Sequence, residues 1–103
     1  MLNTTKRLEN GDLYIELEGR LDTLTAPVFE KELEEILPEA RTITLEFAKL
    51  EYVSSAGLRT LLTAQQYMED NDYPKVKVLH VNQVIMDTFE LTGFCDMLDI
   101  VEL

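Results

Sequence analysis

The chain has 103 residues, enough for one domain with one core and too short for two. Hydrophobic residues make up 46% of it and charged residues 28%, a globular composition that argues against disorder. Twenty Asp and Glu against nine Lys and Arg give a net charge of -11, which repels nucleic acid and anionic lipid surfaces and favours a partner with a basic face.

Thr4–Leu8 and Leu13–Glu18 read as the first two strands, antiparallel, joined by a tight turn at Asn10-Gly11. YIELE alternates polar and apolar residues, as a strand with one wet face does. The apolar side chains of this hairpin need a cover, supplied by tail residues or by a second copy in a weak homodimer. Gly19 breaks the pattern, and GRLDTLTAP reads as a loop. Thr25 is placed to cap the first helix, with Pro27 in its first turn. Phe29, Leu33, Ile36 and Leu37 share one face of that helix, and Pro38 ends it. Thr42–Phe47 (TITLEF), rich in β-branched residues, is the third strand.

The second helix is expected over Ser55–Asn71, with Leu58, Leu61, Leu62 and Met68 on its buried side. Residues 75 to 81, KVKVLHV, form the fourth strand. Asn82 caps a third helix whose apolar positions are Val84, Ile85, Phe89 and Leu91, and Gly93 ends it. DIVEL closes the chain as a short strand or a helical turn. The order ββαβαβα implies a mixed α/β sheet, with an antiparallel hairpin followed by parallel strands, and helices chiefly on one face.

Cys95 is the sole cysteine, so neither an internal disulfide nor a Cys-based zinc site can form. The start, MLNTTKRLENGD, lacks the apolar run of a signal peptide, and no segment approaches the ~20 apolar residues that span a bilayer. The expectation is a soluble cytoplasmic protein with no cofactor and no metal.

The stretch YVSSAGLRTLL raises the functional question. Ser54 and Ser55 stand where a strand hands over to a helix, the sheet edge at which α/β proteins tend to place ligands. One hydroxyl suffices as a cap, so the second is either redundant or free to react. Gly57 sits in the first turn despite a helical cost of about 1 kcal/mol relative to Ala. Its bare backbone suggests close docking of a partner or an anion.

SSAGLRTLL resembles the signature of STAS domains, specifically the anti-sigma factor antagonists of bacterial partner-switching systems, which read Asp-Ser-Ser-Gly-Leu or Ser-Ser-Ala-Gly-Leu between a strand and a helix. GRLDTLTAP resembles the family's Gly-x-Leu-Asp-x-x-x-Ala loop, and VIMDTFELTGF its third helix. Together these motifs span nearly the whole chain. Aligned on Gly57-Leu58, the family's phosphorylated serine falls on Ser55, while Ser54, the second choice, takes the place of the acidic residue. Asp22 matches the acidic position beside the phosphorylation site.

The resemblance implies a partner that is both anti-sigma factor and serine kinase. The kinase brings the ATP, and a serine phosphatase resets the switch. The implied docking surface comprises Asp22, Ser54, Ser55, Ala56, Gly57, Leu58 and Arg59, although Arg59 reads equally as a solvated helix residue.

Rival readings are weaker. Ser55, His80 and Asp22 have the residue types of a hydrolase triad, but no Gly-x-Ser-x-Gly elbow surrounds Ser55. A receiver domain needs an acidic cluster after the first strand for a divalent cation, and none follows it. A constitutive STAS adaptor, a fixed subunit of an assembly such as a transporter-associated ATPase, is the serious alternative; both serines would then be caps.

Overall fold

The computed structural model describes residues 1–101. Strands β1 (Leu2–Glu9) and β2 (Asp12–Leu21) form the hairpin, followed by α1 (Ala26–Ile36), a 3-10 turn at Leu37–Glu39 and β3 (Thr42–Val53). Then come α2 (Ser55–Asp70), β4 (Lys77–Leu79), α3 (Gln83–Thr92), the short α4 (Phe94–Met97) and β5 (Asp99–Val101). The tail is thus a strand as far as Val101, and the last two residues of DIVEL lie outside the described residues.

The five strands lie side by side in chain order. β1 is antiparallel to β2, and β2, β3, β4 and β5 are mutually parallel. Right-handed crossovers that always step the same way along a sheet leave their helices on one face. Burial agrees with this: Leu13, Ile15 and Leu17 of β2 and Ile43, Leu45 and Phe47 of β3 are at most 1% exposed, and the alternate positions carry Tyr14, Glu16, Thr44 and Glu46. The helices close the core with Phe29 and Leu33 of α1, Leu61, Ala64 and Met68 of α2, and Ile85 and Phe89 of α3. Hence the hairpin's apolar side chains are covered by the chain's own helices, and no second copy is needed for that purpose.

Several elements depart from expectation. Asn10 and Gly11 both adopt positive φ (52° and 88°), the geometry of the tight turn their sequence suggests. Gly19, however, does not end β2. It stays in the strand at φ 109°, beside a register shift, where a Cβ would sit 2.1 Å from the carbonyl oxygen of Met1. β3 runs six residues beyond Phe47, through a bulged stretch that disguises its alternation as buried positions three apart: Phe47, Leu50 and Val53. β4 is confined to Lys77–Leu79. In α3, Ile85 and Phe89 are buried as expected, but Val84 and Leu91 point outward, 60% and 89% exposed. A ten-residue helix lying on a sheet edge buries one narrow stripe, and these two fall outside it.

The expected Thr25 cap is also misplaced by three residues. Asp22 is the cap: its Oδ1 accepts from the N–H groups of Leu24 and Thr25 at 3.0 and 3.1 Å, and its carbonyl accepts from Ala26 N–H at 2.8 Å. Thr25 answers as the second half of a reciprocal box, its Oγ1 accepting from Asp22 N–H at 2.9 Å.

Candidate functional site

The junction between β3 and α2 and the loop after β2 meet at the carboxyl edge of the sheet. Leu21 pairs with Val53 across the two strands, and Ser54 N–H donates to Leu21 carbonyl oxygen at 2.9 Å. The peptide joining Leu21 to Asp22 therefore lies directly against the start of α2. This brings the backbone that enters Asp22 alongside that of Ser54.

The serines have separate roles. Ser54 is extended (φ -87°, ψ 176°) and its Oγ accepts from Gly57 N–H at 3.2 Å, while its carbonyl accepts from Leu58 N–H at 2.9 Å. It is the cap. Ser55 is the first helical residue and is exposed, and its hydroxyl has no partner among the described residues. The backbone N–H groups of Ser55 and Ala56, which begin the helix, have none there either, as expected for first-turn donors.

Gly57 does not offer an open backbone. It is buried, and a Cβ there would come within 2.8 Å of Leu21 Cγ and 2.8 Å of Leu21 carbonyl oxygen. The glycine lets α2 lie down on the end of β2; that close packing explains it without a docked partner or anion. Leu58 likewise is buried, 8% exposed, and belongs to the core. Of the residues expected on the docking surface, Ser55 and Arg59 are exposed, and Asp22, Ser54 and Ala56 are half-buried.

Neighbouring residues that sequence reasoning passed over complete the edge. The Arg20 guanidinium stacks 4.5 Å above the Tyr52 ring, and Arg20 Nε lies 3.8 Å from Asp22 Oδ2. Leu24 and Val28, 85% and 63% exposed, stand on the same loop and the first turn of α1. Leu24 had a readable signal, an apolar residue inside the polar loop DTLT; Arg20 and Tyr52 became neighbours only through the β2–β3 register. The Asp22 carboxyl is held below its usual pKa, first by the N–H of Thr25 and then by that of Leu24.

His80 is elsewhere. Its Nδ1 lies 2.8 Å from Oε2 of Glu46, on the sheet face away from the helices. β4 pairs with β3 as far as Glu46↔Leu79, and β3 continues seven residues further to Val53, roughly 20 Å of strand. Ser55 and His80 therefore do not form a catalytic pair. Among the described residues, no three His, Cys, Asp or Glu side chains gather as metal ligands.

The sheet order and the serine-capped junction define a STAS fold. Residues 4–101 match the family model described as "Mlab, STAS domain", and the chain belongs to the STAS domain family. Comparison with curated protein sequences gives no match. Among solved structures, the fold is similar to the anti-sigma factor antagonist SpoIIAA in its unphosphorylated form, at TM-score 0.78 and 14% identity over 98% of this chain and 89% of that one. It is similar also to the Bacillus cell fate determinant SpoIIAA in its phosphorylated form (TM-score 0.76, 16% identity, 97% and 92% covered). An anti-sigma factor antagonist from Mycobacterium paratuberculosis gives 0.81 and 17%, over 100% and 87%.

Proposed function

We propose that this chain is a phosphorylation-gated binding module of the anti-sigma factor antagonist type, acting in the cytoplasm as a single STAS domain. Unmodified, it binds an anti-sigma factor that is also a serine kinase and so frees a sigma factor for transcription. The kinase then moves the γ-phosphoryl group of its own ATP to Ser55 Oγ. An O–P bond forms, the bond to the β-phosphate oxygen breaks, the hydroxyl proton is lost, and ADP leaves. A serine phosphatase reverses the modification by hydrolysis.

The observation that carries this reading is the division between the serines: Ser54 is occupied as the cap, and Ser55 is exposed and unbonded beside it. Phosphorylation adds about -1.5 to -2 charges. The helix start tolerates that anion through its free N–H groups and dipole. A partner packed over Ser55 would instead have to bury it, and a loss of about 2.8 kcal/mol weakens binding a hundredfold. SpoIIAA, of the same fold, has been solved in both unphosphorylated and phosphorylated forms.

A second reading is supported by the family match, whose description names Mlab rather than the antagonists. There the chain is a constitutive adaptor in a larger assembly, such as a transporter-associated ATPase, and Ser55 is never modified. Affinity capture from the native organism with wild-type, Ser55→Ala and Ser55→Glu baits separates the two. The switch predicts a kinase-like protein on the first two baits and not on the third; an identical assembly on all three supports the adaptor.

A further inference from the structure

β1 is an edge strand of eight residues, so half of its backbone N–H and C=O groups face outward with no strand among the described residues to meet them. The two-residue turn at Asn10-Gly11 makes Glu9↔Asp12 a hydrogen-bonded pair, and in an antiparallel ladder such pairs alternate. Asn3, Thr5, Arg7 and Glu9 therefore bond to β2, and Leu2, Thr4, Lys6 and Leu8 turn their backbone groups outward; Met1 carbonyl oxygen, which accepts from Arg20 N–H, fits the same alternation. The side chains of Leu2, Thr4, Lys6 and Leu8 face the helices. Thr4 Oγ1 and Lys6 Nζ donate to Glu32 of α1 at 2.8 and 3.0 Å, and Leu2 and Leu8 pack half-buried against the core. Charges that commonly guard an edge are turned back onto the chain itself, Lys6 in that ion pair and Arg7 over Tyr14. Beside Leu2, on the helix side, lies an apolar hollow of about 200 Å³ lined also by Met1, Leu24 and Val28. Those three account for half of the six large hydrophobic side chains exposed among the described residues, so the uncovered apolar surface gathers at this edge.

We propose that β1 pairs antiparallel with β1 of a second copy, with Thr5 on the two-fold axis, so that two five-stranded sheets become one of ten strands. The axis stands perpendicular to the sheet, which keeps both sets of helices on one side. In this register Leu2 meets the second copy's Leu8, and Thr4 meets the second copy's Lys6. All four residues have outward backbone groups, so each pair exchanges two hydrogen bonds. The second copy's Leu8 comes to lie beside Leu2, at the apolar hollow. Arg7 meets Asn3, and no like charges stand opposite one another. A shift of two residues one way sets Lys6 against Lys6; the other way carries Leu8 past the end of the opposite β1. The charge of -11 on each copy opposes association, but the edge itself is balanced, Lys6 and Arg7 against Glu9 and Glu32. The interface is short, and the dimer it makes is a weak one.

Sedimentation equilibrium of the full chain, carried up to about 1 mM, should show a dimer fraction that grows with concentration. Amide exchange read by NMR over the same range locates the interface. The N–H groups of Thr4, Lys6 and Leu8 should exchange freely in the monomer and slow in proportion to the monomer fraction, about twofold where half of the chains are paired. Those of Thr5 and Arg7, bonded to β2, should be slow at every concentration. Lys6→Pro removes an outward N–H and none that β2 uses, so the variant should stay folded and monomeric. Val28→Glu, on α1 and outside the ladder, puts a charge at the hollow and should lower the dimer fraction. A wild-type chain that remains monomeric at the highest concentration overturns the proposal. So does a dimer whose Thr4, Lys6 and Leu8 amides exchange as fast as in the monomer, or one whose fraction neither substitution changes.

Discussion

Ser54 and Ser55 are adjacent and chemically identical, yet the backbone gives them different work. Ser54, extended, turns its oxygen back to Gly57 N–H; Ser55, one residue on, has helical geometry and turns outward. Ser54→Ala should therefore cost about 1 kcal/mol in urea unfolding, and Ser55→Ala should change stability little. Equal losses would mean that both oxygens cap. Asp22 adds a pH dependence. Its folded-state carboxyl lies below the unfolded value near 3.8, so its contribution to stability is complete above that pH and disappears as pH falls through the lower folded value. Asp22→Asn keeps a capping oxygen and should flatten the fall in stability below about pH 4, read from thermal melts against pH.

At the scale of the element, α2 depends on how closely it lies on β2. Gly57→Ala improves intrinsic helix propensity by about 1 kcal/mol, yet places a methyl group 2.8 Å from Leu21. Overpacking of this kind typically costs about 1–3 kcal/mol, so the net change should be destabilising. A stabilised Gly57→Ala variant would show that the helix end is free to lift. In α3, Phe89 is fully buried between Phe47 and Phe94, and Phe89→Ala should cost about 3–5 kcal/mol, measured in the same denaturation experiments.

Elements also show where the sequence could be read. The hairpin turn, the α2 boundaries and the Asn82 cap were legible because local chemistry decides them: paired positive φ, a serine before an apolar period, an amide reaching Ile85 N–H at 2.8 Å. The full length of β3 was hidden because bulges convert alternation into threes. Asp22 and Thr25 each have capping chemistry, and only the folded loop shows which oxygen faces the helix. For the candidate site, the serines and Asp22 were legible as a motif, whereas Arg20 over Tyr52 required the register between strands.

For the whole molecule, one sheet face is covered by the helices and the other is not. A mostly parallel sheet usually has both faces covered, so this sheet fills its outer face with polar side chains: Arg7 over Tyr14, and Glu46 paired with His80. The net charge of -11 should speed encounter with a basic partner, and the association rate should fall as salt rises, with a smaller effect on dissociation. None of the described helices is long and apolar enough to cross a membrane. Phosphosite mapping by mass spectrometry, on the chain purified from its native cells with phosphatases inhibited, tests the switch at Ser55 itself. A switch at the exposed hydroxyl predicts phosphate on Ser55 and none on Ser54; a chain unmodified at both, or modified at the capping serine alone, would contradict it.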